Sequence, residues 1–413
     1  MEQTIDRSRL FWASCLALLV TSLSFGIRAG ILNELGTTFQ LSATELGVIT
    51  ATAFWGFPLA VIIGGMVVDI IGMKRLLLAA FLFHLVGIIF TIFASGYWSL
   101  FLSTLLIGIA NGTVEAACNP LVATIYPDNK TTKLNHFHLW FPGGIFIGTL
   151  IVFFFSKLGL GWQVQVATML IPTLLYGYFF SRLTFPVTER VAKGVSTGDM
   201  YKALLSPLFI FMIICMFGTA ITELFTGQWI DVLLRSVTDN ALLVLTLTTG
   251  IMVIGRGLAE PVVHRFSPQG VLLMSAVLSV LGLYLLGHTS GNMIFIGALA
   301  FGMGVCYFWP TMIGFVAENL PRTGAVGLNF MGGAGMFAVS LYLIFMGGYY
   351  DNLVKSKIPA GVSEAETVNL LAEARKAAGP EIINVTLVIP IILTVAFTGL
   401  VLYMRSRKNA AVA

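Results

Sequence analysis

The sequence predicts an all-α integral membrane protein with twelve transmembrane helices in two pseudo-symmetric six-helix bundles. Three observations carry that expectation. Of the 413 residues, 57% are hydrophobic and 10% charged, against about 25% charged in an ordinary soluble domain. Apolar runs of about 20 residues, enough helix to cross about 30 Å of hydrocarbon, recur along the whole chain. Residues of the first half also return in the second at a near-constant displacement. The runs lack the alternation of barrel strands, and backbone in lipid must satisfy itself, so helices are the remaining solution.

The spans are expected at 10–33, 45–69, 76–95, 98–125, 135–156, 164–184, 205–231, 241–264, 270–288, 292–318, 324–348 and 382–404. The first follows "MEQTIDRSRL"; its run is too long for a signal peptide and lacks a small-x-small cleavage site, so it reads as an uncleaved helix. Helix 2 ends at the loop "GGMVVDIIGMKR", helix 5 opens after "YPDNKTTK", and helix 6 gives way to "FPVTERVAKGVSTGDMYKA", the longest polar segment on its side of the membrane. That segment reads as a linker over 185–204 between an N-terminal bundle, 1–184, and a C-terminal bundle, 205–413. The acidic, alanine-rich segment 360–380 before helix 12 reads as a short external helix anchored by Leu370 and Leu371.

Lys and Arg test the threading, because positive residues stay on the cytoplasmic side. With the N-terminus inside, fifteen lie in inner loops and tails, from Arg7 and Arg9 to Arg405, Arg407 and Lys408. Six lie outside: Lys157, Arg235, Lys355, Lys357, Arg375 and Lys376. Both termini are therefore expected in the cytoplasm, in a multi-pass plasma membrane protein of the bacterial inner-membrane kind. The formal charge of +4 follows from this asymmetry, and no nucleic-acid partner is expected. Cys15, Cys118, Cys215 and Cys306 fall within helices as small apolar residues, without a disulfide.

The halves correspond through Phe25-Gly26 with Phe217-Gly218, Gly64 with Gly255, Pro120 with Pro310, and Leu134-Asn135 with Leu328-Asn329. The displacements are 192, 191, 190 and 194. Parallel six-helix repeats are an architecture of secondary transporters, which hold a solute near the midplane between them.

Polar residues inside the spans carry the functional reading, since a charge at bilayer depth costs about 2.5–3.5 kcal/mol on insertion scales. In "NGTVEAACNP", Asn111, Glu115 and Asn119 recur every fourth residue and so share one face of helix 4. A desolvated Glu115 is suited to take up and release a cation, the alternative being a structural bond between helices. In "ITELFTGQWI", Thr219, Glu223 and Thr226 share a side of helix 7, followed by Gln228 and Trp229, a pair able to hydrogen-bond and stack on a polar ring or, for Trp229, to anchor at the interface. Helix 1 carries Arg28, Asn33 and Glu34. Arg28 requires an anion, either a glutamate of helix 4 or 7 or the solute itself. In "LNHFHLWFPGG", Asn135 and His138 lie on one face of helix 5. His136 and His138 point apart on a helix, so no metal site is expected, and no other cofactor is implied.

The loop after helix 2 resembles the loop signature of the major facilitator superfamily, carried by Gly65, Asp69, Gly72, Lys74 and Arg75. Its glycines allow close approach and a tight turn, and Asp69 can accept from a helix end or pair with a cation. The counterpart, "GRGLAEPVVHRF", is degenerate but keeps Arg256 and Glu260. "EAACNP", "LNE" at 32–34, "LNHFH" and "GTAITELFTGQW" together resemble the fucose permease-like branch of sugar:cation symporters. The resemblance implies coupling acids at Glu115 and Glu34, and a sugar contact at His138 where the group has glutamine. It implies a helix-7 pattern of Glu223 preceding Trp229.

The expected function is alternating-access symport of a small polar solute, a monosaccharide above all, with a proton or sodium ion. The cation is expected at Glu115 and Glu34, and the solute at Arg28, Asn111, Asn119, Asn135, His138, Glu223, Gln228 and Trp229. An organic-anion or drug carrier using Arg28, and a transport-dead receptor of the same fold, are the rival readings. An enzyme is not expected, since no nucleophile-base pair stands out. The partners are the solute, the ion and the bilayer, with the chain a monomer.

Overall fold

The computed structural model describes residues 5–41, 43–227, 241–359 and 364–412. In chain order the helices are α1 (Arg7–Thr38), α2 (Ala43–Ile71), α3 (Met73–Ile92), α4 (Tyr97–Ile125), α5 (Lys130–His138), α6 (Trp140–Lys157), α7 (Trp162–Ala167), α8 (Leu170–Arg182), α9 (Glu189–Ala192), α10 (Thr197–Leu204) and α11 (Pro207–Ala220). After a π turn at Ile221–Phe225 follow α12 (Ala241–Gly257), α13 (Ala259–His288), α14 (Met293–Val305), α15 (Phe308–Asn319), α16 (Gly324–Ser356) and α17 (Glu364–Val412). Eleven spans among the described residues are long and apolar enough to cross a membrane. The expected eighth span, 241–264, is present as the 17-residue α12, and twelve-helix architecture fits the whole.

Several spans are broken where the sequence reading made them continuous. The fifth is split at Leu139, between α5 and α6, three residues before Pro142. The eighth stops at Gly257, short of 264. Residues 259–266 instead open α13, which kinks at Ser267 (φ 59°) just ahead of Pro268; proline disfavours the helical conformation in the residue before it. The segment expected as a separate external helix at 360–380 is helical from Glu364, but it continues without interruption into the last span.

The chain divides into two compact units. The first comprises 1–212 with 313–334, and the second 213–312 with 335–413. In the first, α2 and α4 lie close because small residues repeat every fourth position on both: Gly56, Ala60 and Gly64 against Gly108, Gly112 and Ala116. A Cβ on Gly112 would sit 2.2 Å from the Phe57 carbonyl oxygen, and one on Gly64 would sit 2.6 Å from the Ala116 Cβ. In the second unit a Cβ on Gly255 of α12 would meet Cys306 Sγ at 2.5 Å, just past the end of α14. Residue pairs 64–116 and 255–306 are related by displacements of 191 and 190, so the same close approach occurs once in each unit.

The paired prolines also have matching consequences. Pro120 and Pro310 have no N–H, so the carbonyls four residues earlier, Ala116 and Cys306, lose their intrahelical donors. Each is taken by a side chain instead. Asn329 Nδ2 donates to Ala116 O at 2.9 Å, and Arg256 Nε donates to Cys306 O at 2.7 Å. Asn329 also explains Gly65, where a Cβ would come within 2.5 Å of the Asn329 Cβ.

Candidate functional site

The polar residues of α4 are buried in the first unit and belong to two hydrogen-bonded chains. Asn119 Nδ2 donates to Glu115 Oε2 at 3.2 Å, one helical turn away. That leaves Asn119 Oδ1 to accept, and His138 Nε2, at the end of α5, lies 3.0 Å from it. Glu115, Asn119 and His138 thus form one directed chain, in which Nε2 of His138 carries a proton. All three side chains are buried. Asn135 sits one turn back on α5 and donates through Nδ2 to the Thr131 carbonyl at 2.9 Å.

Asn111 belongs to the second chain. Its Nδ2 donates to Ser24 Oγ at 3.1 Å, whose own hydrogen goes to the Thr21 carbonyl at 2.6 Å. Its Oδ1 faces Nε2 of His84 at 2.8 Å, and His84 Nδ1 lies 2.8 Å from the Tyr176 hydroxyl. These directions assign the histidine hydrogen to Nε2 and make Nδ1 the acceptor of the tyrosine. The chain ties α1, α3, α4 and α8 together, with Asn111 turned into the bundle interior and fully buried. Sequence reasoning passed over His84, a lone imidazole in the apolar stretch 76–90 of α3, which was the signal available.

The helix 1 residues are spread along the membrane normal. Ser24 is level with Asn111, and Phe11 packs on Tyr126 at 5.6 Å, so α1 and α4 run antiparallel. At about 1.5 Å per residue, Glu115 and Arg28 are then about 12 Å apart in depth, and Glu115 and Glu34 about 21 Å. Glu34 is exposed, near the C-terminal end of α1. The structure does not bring the two expected coupling acids together. Arg28 forms no ion pair among the described residues; its guanidinium lies over the Phe25 ring, 5.2 Å from the centroid.

In the second unit, Glu223 falls in the π turn, a local widening of the helix that often marks functional positions. Its Oε1 accepts from Arg256 Nη2 at 2.7 Å and its Oε2 from the Trp309 backbone N–H at 3.3 Å. Arg256 and Glu260, four apart in the degenerate counterpart of the loop motif, do not share one environment. Arg256 is a fully buried partner of Glu223, while Glu260 is exposed. The π turn also interrupts the helical register that would have aligned Thr219 with Glu223. Gln228 and Trp229 lie outside the described residues.

The loop motif after α2 is assembled as its chemistry requires. Asp69 accepts from the Thr188 hydroxyl and pairs with Arg190 Nε at 2.5 Å, holding the start of α9. Lys74 donates to the Ser181 and Leu183 carbonyls, at 3.0 and 2.9 Å, at the C-terminal end of α8, where a cation is favoured. Gly72 takes φ +90°, which a side chain would strain. Arg75 is exposed. Nearby, Lys130 bonds Glu189 at 2.6 Å and the Ala317 carbonyl at 3.0 Å. Burial raises the Glu189 pKa, but the hydrogen bonds and charges of Lys130 and Lys193 outweigh it and hold the carboxyl below its ordinary value.

Among the described residues the spans are helical and each unit buries hydrogen-bonded polar side chains, features that membrane transporters share. The sequence profile of the Major Facilitator Superfamily matches residues 14–350, and the chain belongs to that superfamily. Among curated relatives it is similar to the solute carrier family 2 facilitated glucose transporter member 10 of Xenopus laevis, 29% identical over 161 residues, which are 39% of this chain and 29% of the relative. The matched stretch thus spans under a third of that relative's length. Among solved structures it is similar in fold to the Escherichia coli fucose:proton symporter (TM-score 0.69, 15% identity, covering 93% of this chain and 98% of that one). It is also similar in fold to a proton:xylose symporter bound to 6-bromo-6-deoxy-D-glucose (TM-score 0.72, 15% identity, 90% and 94%).

Proposed function

We propose that this protein is a secondary active transporter that carries a monosaccharide-sized polar solute across the plasma membrane by proton symport. The observation that carries the reading is the directed chain Glu115–Asn119–His138. A carboxylate buried at membrane depth is linked through an amide to an imidazole on the next helix, so a proton arriving at Glu115 changes the bond that orients His138. The superfamily membership and the sugar names of the relatives support the solute class. The proton is favoured over sodium because Glu115 is held by an amide donor, an arrangement that also serves the protonated acid. Gln228 and Trp229 stay with the solute in this reading, and Glu34 serves as an outer entry point for protons rather than a direct partner of Glu115.

The remaining expectations stand as part of the same proposal. Bundles at 1–184 and 205–413, joined by a linker at 185–204, expose the solute site alternately to each side. Both termini are cytoplasmic and the chain works as a monomer. The matched glycine approaches and proline-released carbonyls of the two units support the duplication. A second reading, an organic-anion carrier, is favoured by Arg28, which has no carboxylate partner among the described residues.

The test is uptake into proteoliposomes. With an inward proton gradient and labelled monosaccharides, the wild type should accumulate solute, and Glu115→Gln should lose gradient-driven accumulation while keeping solute exchange. Full gradient-driven accumulation by Glu115→Gln would remove Glu115 from the mechanism.

A further inference from the structure

Arg28 lies one turn, about 6 Å, from Ser24 along α1. Ser24 is bonded to Asn111, the central residue of α4. The guanidinium therefore lies within the roughly 15 Å half-thickness of hydrocarbon. Its contact is the Phe25 ring, and among the described residues no carboxylate or carbonyl bonds it. A cation over a ring gains about 0.5–2 kcal/mol, whereas stripping an ion of water costs several kcal/mol even after relaxation. Arg28 is half-buried, and at this depth a positive charge stands without a counter-charge from any described side chain.

Arg28 lines a cavity of about 30 Å³ bounded by α1, α2, α3, α4 and the α7–α8 segment. The walls are apolar, formed by residues such as Ile31, Ile49 and Ile107, with hydroxyls from Ser24, Thr91 and Thr104. Ser24 spends its hydrogen on the Thr21 carbonyl and Thr91 on the Gly87 carbonyl. Thr104 bonds no described residue, so its hydrogen is available to the cavity. The space amounts to about two water-sized spheres, room for a small inorganic ion. Neutral water would leave the charge unbalanced, and a divalent anion would reverse it.

We infer that this cavity, inside the N-terminal bundle and apart from the Glu115–Asn119–His138 chain, is a binding site for a small monovalent inorganic anion, chloride in practice, held by the Arg28 guanidinium and the Thr104 hydroxyl. The anion supplies the charge that no side chain provides and fixes α1 against α2 and α4. This inference does not rest on the solute or on proton coupling.

The experiment reads stability and diffraction instead of transport, so its outcome is independent of the proposed symport. Purified protein is melted in sodium gluconate with sodium chloride or bromide substituted at constant ionic strength. The melting midpoint should rise saturably with either halide. Arg28→Met should abolish the response, and Thr104→Val should shift the half-saturating halide concentration upward several-fold. Should Arg28→Met fail to fold, anomalous diffraction from wild-type crystals grown in bromide decides, with a peak expected against the guanidinium. A midpoint that responds identically to gluconate and halide, or bromide peaks lying only elsewhere, would overturn the assignment.

Discussion

Replacing Glu223 by glutamine isolates the energetics of the buried pair in the second unit. The Arg256 side chain is 1% exposed and that of Glu223 6%, so neither partner regains water when the other is neutralised. Arg256 holds Glu223 Oε1 at 2.7 Å and the proline-released Cys306 carbonyl at 2.7 Å. Glutamine preserves the volume and one acceptor oxygen, so packing and one hydrogen bond survive while the counter-charge is lost. Removing one member of a buried pair costs about 3–5 kcal/mol, and the surviving acceptor places this substitution near the low end, about 3 kcal/mol. A guanidinium cannot shed its proton to escape the penalty. Combining Glu223→Gln with Arg256→Met removes both charges, and the double variant should be more stable than Glu223→Gln alone. The assay is denaturant unfolding of the four proteins in detergent, read as a double-mutant cycle. A loss below about 1 kcal/mol in Glu223→Gln, or additivity within about 0.5 kcal/mol, would refute the reasoning.

Other consequences are equally specific. Gly112→Ala drives a methyl to 2.2 Å from the Phe57 carbonyl oxygen and should destabilise by about 1–3 kcal/mol or more in thermal melts, whereas Gly47→Ala, with nothing within 4 Å, should stay within about 0.5 kcal/mol of wild type. Pro120→Ala returns an N–H to the Ala116 carbonyl and displaces Asn329 Nδ2, so Asn329→Ala should cost less in that background than alone, by about 0.5–3 kcal/mol in a cycle. Because Glu189 has a lowered folded pKa, its contribution is complete above the ordinary carboxylate value and is lost as pH falls through the folded value. Acid melts of the wild type should show that limb, and Glu189→Gln should flatten it.

Much of the architecture was legible because lipid permits few solutions. Length and hydropathy place the spans, and the near-constant displacement of Gly64, Pro120 and their counterparts indicates two related halves. Bond partners were less legible. The four-residue spacing of Asn111, Glu115 and Asn119 put them on one face, but it could not show that Asn111 joins His84 and Ser24 while Glu115 and Asn119 join His138. Arg256 fell inside the eighth span, drawn as 241–264, but nothing in its spacing pointed to Glu223, 33 residues earlier, as its partner. Glu223 reaches it from the π turn at Ile221–Phe225, which the spacing did not announce.

The sequence by itself determined that this chain lies in a membrane, which segments are apolar enough to cross it, and which carbonyls lose their helical donors at Pro120 and Pro310. Those properties follow from local composition and covalent geometry. Only the tertiary structure decided what replaces the missing donors, which carboxylate pairs with which cation, and that Arg28 pairs with none among the described residues. Such matches depend on distances between residues far apart in the chain, and helical periodicity carries no information about them.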